Sequence, residues 1–391
     1  MRNYLLLLLA SIFITCSPKE QKNKIIVIKN TLNIDRSFET VELAIELFAV
    51  DGQKKVEQFG IRDIDTKEFL VTQAIDNNGD GINDALLFQP EILKQSEKKF
   101  EIILNAPTVE KDSVMRCYSR FVPERTDDYA WENNRVAFRA FGPMAQKMVE
   151  EGISGGTLAS GIDAWLKKVD YPIINKWYEK TTTGKGSYHK DTGEGLDNFH
   201  VGKSRGVGST AVQVDSTYFF SKNFISWKTI SNGPIRTSFT LEYAEWSAAG
   251  TIIKEVKNIS LDFGSNLSRY EVLIEGKNQI SAGLTLHEND GVVSVNADNG
   301  YVSYWQPHDN SELGMAIVVP QEYYNGYEKY ETSVSDLSNL YAHLKVMNNK
   351  TVYYAGFCWK ESGQFKTSKE WESYLEEFSK KIKNPLIIEV K

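Results

Sequence analysis

A train of short segments that alternate apolar and polar residues runs through this chain: KIIVIKN, TVELAIELFA, FEIIL, NRVAFRAFG, STAVQVDSTYFF, IRTSFTLEYAEW, IIKEVKNISLDF, SRYEVLIEG, GMAIVVP and TVYYAGFCWK. Period-two alternation sends one row of side chains into a core and the other into water, which is the signature of half-buried strands. Turn residues separate the segments, with few stretches long enough to be crossover helices, so antiparallel pairing is favoured over βαβ units. The chain reads as mainly β, with a small N-terminal β domain followed by a large antiparallel sandwich and few helices.

Residues 24–110 form the first unit in this reading and 111–391 the second. Pro143 opens a helix that ends near Glu151, because proline fits a first turn. Thr367 and Glu370 make a capping-box pattern at the start of a second helix. On it Trp371, Tyr374, Leu375, Phe378 and Ile382 share one face as a packing stripe.

Ahead of the first strand, Arg2, the apolar run YLLLLLASIFI and Cys16 read as a signal peptide over residues 1–15 with a bacterial lipoprotein box. Cys16 is the expected lipidation site and residues 16–23 the linker. The run is too short to span a bilayer, so contact with the membrane is expected only through the anchor, in the periplasm on the outer membrane. Export would permit Cys117 and Cys358 to pair, and two buried thiols are the alternative. A net charge of −7 with dispersed Lys and Arg argues against nucleic acid as a partner, whereas a local group of cations can still take a small anion.

In DNNGDGIND, Asp76, Asn78, Asp80 and Asp84 set oxygen ligands around Gly81 at a spacing that suits Ca2+. Leu87 stands where an EF-hand has its bidentate glutamate, and strand-like ALLF replaces the expected helix. The segment is either a structural Ca2+ loop or a hairpin of Asx turns. No cofactor is required for catalysis in this reading.

Chemistry concentrates in SYHKDTGEGLDNFHVGKSRGVG, from Ser187 to Gly208. A loop that gathers a base, a phenol, carboxylates and cations is where a site is built. Its candidates are Tyr188, His189, Asp191, Glu194, Asp197, Lys203 and Arg205, with His200 read as a packed or hydrogen-bonded histidine. In VPERTDDYAWENNRVAFRAFGP, Arg135 and Arg139 lie four apart. An extended strand would put both on one face as a clamp for a carboxylate or sulfate, unless they bridge to Glu132, Asp127 and Asp128. Trp131, Trp165, Trp177 and Trp305 are either sugar platforms or core.

These two blocks, with SGIDAWLKKVDYPIINKWY between them, resemble the signature segments of a bacterial family first catalogued as a domain of unknown function. The resemblance spans the chain from about residue 24 to the C-terminus. It implies a role in polysaccharide utilisation, because a characterised branch of that family acts as dehydratases on oligosaccharides of the algal polysaccharide ulvan. Such an enzyme removes water from a saturated glucuronate or iduronate at the non-reducing end. The 4,5-unsaturated end then passes to unsaturated-uronyl hydrolases. The strand pattern is also similar to the galactose-mutarotase-like β-supersandwich, the architecture expected for the second unit.

Elimination across C4 and C5 of a uronate needs a base at C5, an acid for the departing hydroxyl and cations that neutralise the carboxylate. On chemistry alone His189 is the base, Asp191 or another carboxylate sets its tautomer, and Tyr188 is the acid. Arg135, Arg139 and Arg205 are expected to bind the carboxylate and a neighbouring sulfate, with Lys203, Trp131 and Trp177 as further substrate contacts. A polysaccharide lyase would use the same logic. A lipid-anchored glycan-binding protein would keep the aromatics and arginines without the base.

Overall fold

The computed structural model describes residues 24–47, 55–107 and 115–391. The export signal, Cys16 and the linker as far as residue 23 lie outside the described residues. The fold is mainly β, with several antiparallel sheets, as the alternation requires.

In the N-terminal unit a four-stranded sheet faces a three-stranded one around Ile26, Ile28, Leu43, Leu86, Phe88 and Phe100. One edge of the larger sheet is the last strand of the chain, Ile387–Val390, which pairs with the first, Lys24–Lys29. A boundary at residue 110 therefore divides what the fold joins. The C-terminal strand is too short for its alternation to register in sequence.

Beyond it stands a nine-stranded sheet whose inner face is covered by two five-stranded sheets, all sharing one core. Thr251–Asp262, a central strand of the large sheet, shows the alternation at full length: Ile253, Glu255, Lys257, Ile259 and Leu261 point inward and are buried. Helix α1 (Pro143–Glu150) starts at its proline, and helix α2 is Ile174–Thr182. The third helix, α3 (Ser368–Lys383), is capped by Thr367, whose side chain accepts from the Glu370 amide. Its Trp371 and Leu375 pack on Trp305, Val318 and Tyr301 of the large sheet. Cys117 and Cys358 are both buried free thiols and form no disulfide.

The second covering sheet runs Gly195–Leu196, Asp163–Lys167, Ala137–Ala140, Asp128–Glu132, Tyr118–Val122. Its inner face, with Trp131, Phe138, Ala140 and Leu166, belongs to the main core. Its outer face, with Ala130, Ala137 and Trp165, lies under α2 and packs on Ile174, Trp177, Tyr178 and Tyr188. Alternation thus makes this thin sheet two-sided, and the outer side carries the polar chemistry.

Candidate functional site

Arg139 sits mid-sheet on that outer face. Asp163 is its direct partner on one neighbouring strand, and Asp128 lies two residues from its partner Ala130 on the other, hence on the same face. Asp197 follows the edge strand. The guanidinium lies 2.5 Å from Asp163, 3.0 Å from Asp197 and 3.8 Å from Asp128. The Asp163 contact is close but off-axis, so it is an ion pair without a well-aligned hydrogen bond. Three buried carboxylates around one buried cation disfavour each other's charged forms. Burial pushes Asp128 up to about 6 against the pull of Arg139 and Arg125. Burial, with Asp197 beside it, raises Asp163 well above the ordinary carboxylate range.

Backbone shape helps to hold Asp128. Thr126 and Asp127, just before it, both have positive φ, 50° and 65°, a conformation that non-glycine residues adopt at a cost. Gly142 makes the turn possible, since a Cβ there would come within 1.7 Å of the Asp127 carbonyl oxygen.

Above this cluster lies His189. Its Nδ1 is 2.6 Å from the carbonyl oxygen of Asp197, which can only accept, so Nδ1 carries the proton and Nε2 is the basic nitrogen. The Asp197 carboxylate is 3.6 Å from the same Nδ1, and the imidazole side chain is 59% exposed. The Tyr188 ring lies against it at 4.5 Å. Tyr188 is buried, with its ring among Trp165 and Tyr178, and its phenol oxygen accepts from Arg125 at 3.2 Å and Arg139 at 3.4 Å. Arg125 is half-buried, bonds Thr126 Oγ1 and forms no carboxylate ion pair among the described residues.

The other expected residues are dispersed. Asp191 pairs with Lys168 at 2.5 Å and accepts from the Gly193 and Gly195 amides, so it shapes the loop, and Asp197 is the carboxylate near His189. Glu194 is held by Tyr171, Lys176 and Trp177. Arg135 and Arg139 do not form a pair: the strand begins only at Ala137, and Asn133 accepts from the Arg135 and Val136 amides in a turn that carries Arg135 elsewhere. The bridge to Asp128 foreseen as the alternative does form, from Arg139 alone.

Arg205 is wholly buried between the sheets, bonded to Ser160, with its guanidinium 3.7 Å over the Phe220 ring. Lys203 is exposed, and its carbonyl oxygen accepts from Arg205. Trp131 donates to Ser268 inside the core, Trp177 packs on Trp165, and Trp305 packs under α3, so none of these rings faces a sugar. His200 is hydrogen-bonded to Asp336. In the aspartate loop the side-chain oxygens turn to backbone amides: Asp76 accepts from Gly79 and Gly81, Asp80 from Ile82, Asp84 from Asn77 and Asn78. No group of three or more His, Cys, Asp or Glu side chains converges as metal ligands among the described residues.

Sequence reading passed over Arg125, Asp163 and a pair of half-buried histidines. His308 Nε2 meets Asn198 Oδ1 at 3.0 Å, and His287 donates from Nε2 to the His200 carbonyl oxygen at 2.8 Å. Desolvation lowers both imidazoles below the ordinary histidine range. The signal for Asp163 was present: it is a lone carboxylate at the head of an apolar run, in IDAWL, whereas Asp128 heads DYAWE next to Asp127 and in the same strand as Glu132.

Comparison with known proteins bears on the whole chain. A solved α-mannosidase from Enterococcus faecalis V583 aligns over 95% of this chain at 11% identity and a TM-score of 0.46. A glycosyl hydrolase family 38 protein from Enterococcus faecalis gives the same identity and TM-score. The chain spans about half the length of these two structures, 46% and 48%. An uncharacterized protein P7 of Formosa agariphila is 53% identical over 382 residues, 97% of both chains. A family model described as Domain of unknown function (DUF4861) matches residues 28–388, and the chain belongs to that family.

Proposed function

We propose that the protein is a carbohydrate-active carbon–oxygen lyase that dehydrates the saturated uronate at the non-reducing end of an anionic oligosaccharide, exported and acting ahead of unsaturated-uronyl hydrolases. The observation that carries this reading is the His189 arrangement: a 59% exposed imidazole with Nε2 as its basic nitrogen, held at Nδ1 by the Asp197 carbonyl and packed against Tyr188, whose phenol oxygen accepts from Arg125, an arginine without a carboxylate ion pair among the described residues. In place of the clamp expected from Arg135, Arg139 and Arg205, Arg125 receives the uronate carboxylate and stabilises the charge that develops on it as the C5–H bond breaks.

His189 Nε2 takes the C5 proton. The electron pair left on C5 forms the C4=C5 bond, the C4–O bond breaks, and the imidazolium returns the proton to the departing hydroxyl as water. Tyr188 lies too deep to touch the sugar. It acts as a positioning residue, tying Arg125 to the Arg139 cluster.

The test is incubation with saturated uronyl-rhamnose sulfate oligomers, followed by ultraviolet absorbance and mass analysis. The unaltered enzyme should yield a product one water lighter, and His189→Ala should lower the rate by about 10²–10⁴-fold without changing the melting temperature. Two shorter fragments would instead identify a chain-cleaving lyase. Undiminished turnover in His189→Ala would remove the imidazole from the mechanism.

A further inference from the structure

Arg135, freed from the expected clamp, lines a cavity of about 480 Å³ where the N-terminal unit, the outer face of the large sheet and α3 meet. That is within the roughly 300–1,000 Å³ of small-molecule sites. Its carboxylates are already engaged: Glu39 forms an ion pair with the buried Arg36, and Asp262 with Arg236. Arg269 leans on Glu271. Two cations are left over. Arg135 reaches only the amide oxygen of Asn266, at 3.0 Å, and Lys381 makes no side-chain ion pair or hydrogen bond among the described residues. Burial lowers the Lys381 ammonium below its usual range; Glu377 and Glu39 oppose this and Arg36 and Arg135 add to it, which places these charges around one space.

The wall also carries an aromatic ring. Phe38 is 45% exposed, and it takes a left-handed φ of 55°, costly for so bulky a residue. It packs edge-on against Phe263 and over Gly264, where a Cβ would come within 2.5 Å of its ring, and the Arg135 guanidinium lies 5.9 Å from it. An exposed ring held by strained backbone beside unpaired cations is poor for stability and apt for a ligand with an anionic group and an apolar face.

We propose that this cavity is a second binding site, for an anionic sugar unit, with Arg135 and Lys381 on its sulfate or carboxylate and Phe38 against the ring. That the ligand is a sugar rests on the functional reading above. The preference for an anion rests on the cavity.

The test is calorimetric titration of full-length His189→Ala protein with a sulfated uronate tetrasaccharide and with its desulfated, carboxyl-reduced counterpart. Two sites are expected for the charged sugar. Adding Arg135→Gln and Lys381→Gln should weaken one of them by about tenfold or more, while Arg125→Ala weakens only the other. Phe38→Ala should weaken the first site for both sugars. A single site, or two sites indifferent to these changes, overturns the proposal. Lys381→Gln alone guards against misfolding: its melting temperature should not move, and affinity equal to the parent's would be equally fatal. Turnover is read separately, so loss of dehydration with both sites intact condemns only the catalytic reading, and normal dehydration with one site condemns only this one.

Discussion

Two buried charge clusters sit on opposite sides of the covering sheets, and they are built with opposite surpluses. On the outer face, one guanidinium, Arg139, is surrounded by Asp128, Asp163 and Asp197. Between the sheets, two buried cations, Arg205 and Lys257, stand near one carboxylate, Glu255, with which Lys257 forms an ion pair at 3.3 Å and to which Thr210 donates. Burial answers both surpluses by favouring neutral forms: it raises Asp128 and Asp163, and it lowers Lys257 and brings Arg205 down to about 10. Only the first cluster reaches the surface, through the Asp197 carbonyl and the exposed His189. A sealed cluster serves the core, whereas an acid-rich one beneath an imidazole can support proton transfer.

The same substitution at both arginines tests that contrast most severely. Arg139→Met strips three buried carboxylates of their cation and should cost about 3–5 kcal/mol, read from denaturant melts. Arg205→Met removes the cation in excess and leaves Lys257 with Glu255. It should cost about 1–2 kcal/mol or less, since burying an apolar chain offsets the lost charge. Equal losses would mean that charge balance does not distinguish the two clusters.

A smaller effect follows from pH. Asp128 has its carboxyl raised from 3.8 to about 6 in the fold, so the native state holds a proton that the unfolded chain has released in between. Stability from this proton is full below 3.8 and falls as pH rises through about 6. The loss is on the order of 3 kcal/mol for a shift of this size. Asp128→Asn should flatten that fall in stability curves taken across the window, and a slope unchanged from the parent would place the proton elsewhere.

How much of this was legible beforehand depended on whether the relevant force was local. The train of strands and the Thr367 cap are written in neighbouring residues, and they appear in the fold as read. Parity along RVAFRAF failed because Asn133 turns the chain before the strand starts, a side-chain hydrogen bond that alternation does not encode. Trp131 and Trp177, expected as substrate contacts, pack in the core instead, because core and sugar platform demand the same ring. His189 was visible as an isolated base in a polar loop, but its partner was not: Asp191 stands two residues away and is spent on Lys168, while Asp197 reaches the ring only once the loop closes.

The finest test concerns which carboxylate carries the proton at neutral pH. Asp163 is wholly buried, opposite Arg139 in register and close to Asp197, and its carboxyl is raised well above the ordinary range. A protonated aspartate and an asparagine have nearly the same shape and no net charge, so Asp163→Asn keeps the balance of the cluster. It should change stability by no more than about 1 kcal/mol at neutral pH, the scale of one rearranged hydrogen bond. Turnover should hold as well, because His189 takes its orientation from the Asp197 backbone, which this change leaves in place. A loss near that of Arg139→Met would mean that Asp163 is ionised and is the main counter-charge of the guanidinium. The two buried clusters would then differ in sign alone, and the acid-rich one would hold no spare proton beneath the imidazole.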